Sequence, residues 1–156
     1  MTPDPGTAGP DYDVEIRPFW LRVGAFGTAV LVVIAHTVTG FFLKAGSSGV
    51  VFQTSDQVAI GLLGVVIAGA ILLFTRPRLR IGPTGVLVRN LLGERLITWS
   101  ELVGVSFPAS SRWARIDLPG DEYVPVMAIE SIDKERAIAA MQELRAQLAR
   151  HRPDLA

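Results

Sequence analysis

The stretch VGAFGTAVLVVIAHTVTGFFL, Val23 to Leu43, runs twenty-one residues without Asp, Glu, Lys or Arg, and VAIGLLGVVIAGAILLF, Val58 to Phe74, runs seventeen more. A helix rises about 1.5 Å per residue, so roughly 20 apolar residues cross the hydrocarbon core of a bilayer. The first run meets that length, and the second meets it once the uncharged Gln57 and Thr75 extend it into the interface. Together they predict a membrane α-helical hairpin over residues 19–75, with one span at about 22–43 and the other at about 58–75.

The link from Ala45 to Gln57 carries only Asp56 as a charge and is too short to hold a domain. Arg17 and Arg22 precede the first span, Arg76, Arg78 and Arg80 follow the second, and Lys44 stands at the edge of the link. The positive-inside bias then puts both termini in the cytoplasm, with the hairpin in a bacterial inner (plasma) membrane. A cleavable signal would need a basic leader and a shorter core; here the leader is acidic and the core long, so the first run reads as a retained span.

Of the 156 residues, those outside the hairpin leave room for one small core. With no cysteine, disulfides, thiolate catalysis and cysteine-based metal sites are excluded. Net charge is zero but unevenly spread. Residues 1–18 carry Asp4, Asp11, Asp13 and Glu15 against Arg17, whereas residues 75–120 carry seven arginines against Glu94, Glu101 and Asp117. That basic section starts where the chain leaves the second span, as expected for a segment against anionic lipid, and it is too sparse for a nucleic-acid face.

The Pro-, Gly- and Asp-rich residues 1–18 predict a disordered cytoplasmic leader, with Tyr12, Val14, Ile16 and Phe19 as an apolar alternation able to dock on a partner. After Ile81 the apolar runs shorten. Gly82 to Gly85 and Asn90 to Gly93 read as turns, and short strands are expected at Gly85 to Arg89, Arg95 to Trp99, Leu102 to Phe107, Trp113 to Leu118 and Tyr123 to Met127. Pro125 marks an edge or a bulge. From Asp133 to Arg150 neither Gly nor Pro occurs, and Ile138, Met141, Leu144 and Leu148 recur at helical spacing. Ser131 or Asp133 can cap that helix, and Pro153 stops it, leaving residues 153–156 as a tail. The fold class is therefore a two-helix membrane hairpin plus a small α+β domain over 76–152, an antiparallel meander or open barrel capped by a C-terminal helix.

A strand meander closed by one amphipathic helix resembles the pleckstrin homology (PH) domain, and the details are similar to small bacterial PH domains that actinobacteria place after a pair of transmembrane helices. The strand Gly85, Val86, Leu87, Val88, Arg89 resembles that family's opening. Ile97, Thr98, Trp99, Ser100, Glu101, Leu102 is similar to its I-x-W-x-[DE]-[IL] stretch, and Ser111 to Ile116 to its next strand. One departure stands out. The basic cluster that phosphoinositide-binding eukaryotic PH domains carry around their first loop is not present as a unit; Arg89 and Arg95 flank the corresponding turn with Glu94 beside them.

Four groups of residues are candidates for function. Arg76, Arg78 and Arg80 alternate with Pro77 and Leu79, so an extended chain would aim all three at the membrane surface or a lipid headgroup. Gly61, Gly64 and Ala68 form a small-residue face that admits a close helix, either the first span or a partner protein. His36 with Thr39 is a polar site at membrane depth, whose neutral imidazole would bond a carbonyl or a threonine of the second helix. Arg112, Trp113 and Arg115 form a basic and aromatic surface on the domain, with packing of the sheet as the other reading of the tryptophan. No nucleophile, base or phosphate-binding loop forms a catalytic constellation, and no cofactor or metal is expected. The expected role is non-catalytic. One reading is an accessory or scaffold subunit of a larger inner-membrane complex of respiratory, transport or cell-envelope type. The other is a tethered sensor whose domain binds anionic lipid or an extended peptide, and neither involves nucleic acid.

Overall fold

A computed structural model describes residues 12–45 and 53–155, so the leader expected over 1–18 lies outside the described residues up to Asp11. The chain divides into two units: residues 20–76, and a second made of 1–19 with 77–156.

The first unit is the hairpin. Helix α1 spans Phe19–Ala45 and α2 spans Thr54–Leu72, followed by one 3-10 turn over Leu73–Thr75. Their apolar stretches, Phe19–Leu43 and Thr54–Thr75, are long enough to cross a membrane. Large apolar side chains on both remain uncovered, Leu31 and Val66 at 67% exposure and Phe41 at 72%, as on a surface that faces a membrane or another protein. Gln57 Nε2 donates to the Gly40 carbonyl at 2.9 Å near the link. Asp56 closes a capping box with Gln53 at the start of α2.

The second unit holds seven strands and one helix. In chain order the strands are β1 Val14–Ile16, β2 Arg78–Gly82, β3 Gly85–Arg89, β4 Glu94–Thr98, β5 Gly104–Ser106, β6 Trp113–Asp117 and β7 Tyr123–Glu130; helix α3 covers Glu135–His151. They form two antiparallel sheets, β1-β2-β3-β4 and β5-β6-β7, not closed into a barrel. Alternation decides which side chains turn inward: Leu79, Ile81, Val86, Val88 and Ile97 from one sheet and Ala114, Ile116, Val124 and Val126 from the other are buried. Helix α3 contributes Ala137, Met141, Leu144 and Leu148 to the same core.

The leader expectation is corrected at residues 13–18. Val14, Glu15 and Ile16 pair with Ile81, Arg80 and Leu79, so the strand before the hairpin and the strand after it are neighbours in one sheet. Val14 and Ile16 pack on the core, and Glu15 on the outer face meets Arg80 at 3.1 Å. The hairpin is thus an insertion between the first two strands.

Gly85 tolerates no side chain, because its φ is +150° and a Cβ would fall on the Ile97 carbonyl. Glu101 accepts from the Thr98 N–H and hydroxyl, which holds its carboxyl below the ordinary range and closes the β4–β5 turn. Trp99 is buried, donates from Nε1 to the Gly82 carbonyl at 3.1 Å, and stacks on His151 with ring centroids 4.4 Å apart. Arg152 donates to the Trp99 carbonyl at 2.9 Å, which fastens the end of α3 to the same corner. The expected cap of α3 differs: the N-cap residue is Lys134, with no side-chain cap hydrogen bond, and Asp133 Oδ2 accepts from the Phe19 N–H at 3.0 Å.

Hydrogen bonds from Arg17 and Arg80 hold the Glu15 carboxyl below its usual value. A carboxyl whose folded value is depressed stabilises the fold above its unfolded value, near 4.5, and loses that contribution as pH falls through the folded value. Glu15→Gln is therefore expected to speed hydrogen exchange of the β1 amides relative to the parent at pH 7, by about 0.5 kcal/mol of local opening energy. The two proteins should converge as the pH falls below the depressed folded value of Glu15; equal exchange at pH 7 would show that the pair does not hold β1.

Candidate functional site: an apolar groove beside an edge strand

Sheet β5-β6-β7 leaves the outer edge of β5 without a partner strand among the described residues. An edge of free N–H and C=O groups is a template for an added strand unless it is short or blocked. Here it is short, and an apolar groove lies beside it. The groove, of about 390 Å³, is floored by Phe107 at the end of β5 and by Ala137, Ile138 and Met141 of α3, with Lys134 and Arg145 on its rim.

Local sequence explains why the groove stays open. The apolar positions of α3 form a stripe wider than one contact face, so Ala137, Met141, Leu144 and Leu148 reach the core and Ile138 does not. Ile138 was expected in the core stripe and is instead 59% exposed, on the groove wall. Lys134, at the mouth, has φ +44° and ψ −108°, a conformation that costs a non-glycine residue about 1–3 kcal/mol. That backbone kink turns the chain from Ser131–Asp133 into α3 and sets the lysine at the rim.

The residues singled out from sequence are distributed differently. Arg76 follows a 3-10 turn with helical backbone angles, so it does not share a strand face with Arg78 and Arg80 as the extended reading required. Arg78 and Arg80 do share the outer face of β2, with Leu79 inward. Arg80 is held by Glu15 and lies 5.5 Å from the Tyr12 ring centre. Arg78 stands directly opposite Arg89, and burial together with Arg80 and Arg89 pushes its guanidinium down from the ordinary value.

Gly64 and Ala68 are buried, and the partner of Gly64 is the first helix: a Cβ there would stand 2.6 Å from His36 Cβ. Gly61 meets nothing within 4 Å, so the three residues are not one packed face. His36 bonds within its own helix, Nδ1 to the Val32 carbonyl at 2.9 Å, which requires the Nδ1–H tautomer; the expected partner on the second helix is replaced by an i−4 carbonyl. Thr39 is exposed.

Arg112, Trp113 and Arg115 do not make a free basic patch. Arg112 Nε reaches Glu130 Oε1 at 2.6 Å, and Arg115 lies 2.9 Å from both Asp117 and the Ser106 hydroxyl. Trp113 is half-buried. Glu130 was not anticipated: its side chain is 1% exposed, and its signal in the sequence was only an acid ending the apolar run of β7. Glu130 Oε2 and Trp113 Nε1, on residues paired in register, are each buried without a hydrogen-bond partner among the described residues.

Residues 76–147 match the family described as Bacterial PH domain. An uncharacterized protein of Mycobacterium tuberculosis and another of Mycobacterium bovis are each 62% identical over 150 residues, covering 96% of this chain and 97% of the relative. No solved structure matches the chain.

Gly64→Ala is expected to lower the thermal stability of the hairpin by about 1–3 kcal/mol, because the added methyl meets the His36 side chain with no room to yield. Gly61→Ala, in open space, should be neutral. Melting of the two variants in detergent, followed by circular dichroism, checks this; equal melting would show that the His36–Gly64 contact is not tight.

Proposed function

The chain belongs to the bacterial PH-domain family, and from that membership we propose that it is a non-catalytic docking subunit, tethered by its hairpin, that holds a partner of a larger inner-membrane complex. The observation that carries this reading is the groove between α3 and Phe107, the residue that follows β5. A partner segment in extended form would pair with the β5 edge and place alternate side chains into the pocket of Phe107, Ile138 and Met141. Lys134 and Arg145 favour an acidic segment there.

The two apolar helices support a membrane-spanning hairpin. Because β1 and β2 are neighbours in one sheet, the chain before the hairpin and the chain after it meet on one side, and the arginines flanking both spans favour the cytoplasm. Open space around Gly24, Gly27, Gly61 and Gly69 leaves the helices room to pack against other subunits. Relatives in mycobacteria are in keeping with a bacterial plasma membrane.

Purification of the full chain in mild detergent, followed by native mass spectrometry, tests the reading. Stoichiometric partner subunits are expected, and Ile138→Asp, at an exposed position, should release them without unfolding the domain. Thr84→Asp, on an exposed turn between β2 and β3, should retain them. A protein that purifies without partners, or partners indifferent to Ile138→Asp, would contradict it.

A further inference from the structure

The groove beside α3 is tied to the first residue of the first apolar stretch. Phe19 opens α1, yet it belongs to the same compact unit as the domain. Its N–H donates to Asp133 Oδ2 at 3.0 Å, and the Arg136 guanidinium lies 4.0 Å from the centre of its ring. Asp133 is only 8% exposed, and the first turn of α1 holds no acidic residue of its own. A carboxylate from 114 positions away thus accepts one of the amides that a helix start leaves without a partner.

Both contacts come from the chain that forms the groove's mouth. Lys134 follows Asp133, Ala137 follows Arg136, and each lines the groove. Consecutive Cα atoms stand about 3.8 Å apart, so the near end of the groove is within about 10 Å of Phe19.

The lining states what fits. Ile138 on the wall is 59% exposed, with Phe107 and Met141 beside it. Lys134 and Arg145 are the charged lining residues, and none is acidic. An occupant therefore brings apolar side chains with carboxylates next to them. Size decides where such a segment comes from. A groove of about 390 Å³ takes few side chains, and β5 offers an edge of three residues. Stable complexes of soluble proteins bury about 1,200–2,000 Å², far more than such a contact supplies. A segment anchored in the same bilayer meets the groove at an effective concentration on the order of millimolar, which offsets a weak contact.

We propose that the occupant of the groove is the juxtamembrane segment of another integral membrane protein. This is an extended, acidic and apolar stretch next to that protein's own span, seated between α3 and Phe107 with its carboxylates on Lys134 and Arg145. The inference rests on the spanning hairpin and on the docking reading above, and it names the class of partner.

A photo-cross-linking side chain, p-benzoylphenylalanine, is placed at Ile138 of the full chain in the membranes of cells that make it natively. Irradiation should give an adduct that alkaline carbonate does not strip from the membrane. The cross-linked residue should map within about ten residues of an apolar span, an extended reach of about 35 Å, with Asp or Glu beside it. Lys134→Glu with Arg145→Glu should lower the yield severalfold while near-ultraviolet circular dichroism stays unchanged. The same label at Thr84, on the exposed turn between β2 and β3, should give no such adduct. An adduct with a protein that carbonate removes, or with a region far from any span, would overturn the juxtamembrane occupant and leave the docking reading standing. A yield unchanged by the charge reversals would overturn the acidic chemistry. An adduct only between copies of the chain, or none at Ile138, would remove the docking reading as well.

Discussion

Everything in this fold depends on three residue pairs, Val14 with Ile81, Glu15 with Arg80 and Ile16 with Leu79. They join segments 65 positions apart across the whole hairpin. Closing so long a loop costs conformational entropy that three β pairs would not offset in a flexible chain. Two antiparallel helices joined by a short link remove most of that cost, because they return the chain to the level from which it left. In exchange the sheet gains a fourth strand, and Leu79 and Ile81 are buried beneath it to 0% and 1% exposure.

The family match begins at residue 76, so β1 lies outside it and joins the domain's first sheet only across the hairpin. Among the described surfaces, the margin of α3 carries an open apolar groove: Ile138 faces it instead of the core, and Lys134, at positive φ, lines it. The opposite candidate, around Arg112 and Arg115, is spent internally on Glu130 and Asp117.

Legibility in the sequence followed the range of the interaction. The spans were readable because length and absence of charge suffice, and strands β3 to β7 because turn residues such as Pro83-Thr84, Asn90 to Gly93 and Pro119-Gly120 bound them. β1 was not readable: Val14-Glu15-Ile16 is three residues beside a Pro- and Gly-rich leader, and its partner lies beyond the hairpin. β2 was hidden for a related reason, since Arg76, Arg78 and Arg80 read equally well as a topology signal. The His36–Gly64 contact lay among the open alternatives, but its meaning needed geometry: a small residue facing a larger one inside the hairpin, not a face for a stranger. The groove was missed because an apolar stripe does not announce which of its edges the core will leave uncovered.

The account stands on the pairing of β1 with β2 across the hairpin, and a cysteine pair tests it directly. Opposite residues of antiparallel strands have Cα atoms about 4.5–5.5 Å apart, within disulfide range. In membranes holding the otherwise cysteine-free full chain, Glu15→Cys with Arg80→Cys should form an intramolecular disulfide under mild oxidation, so that cutting an engineered protease site in the link leaves both fragments joined. Glu15→Cys with Thr98→Cys, on the far strand of the sheet, should not. Separation of the fragments of the first pair, or cross-links between molecules only, would contradict a hairpin bracketed by one sheet.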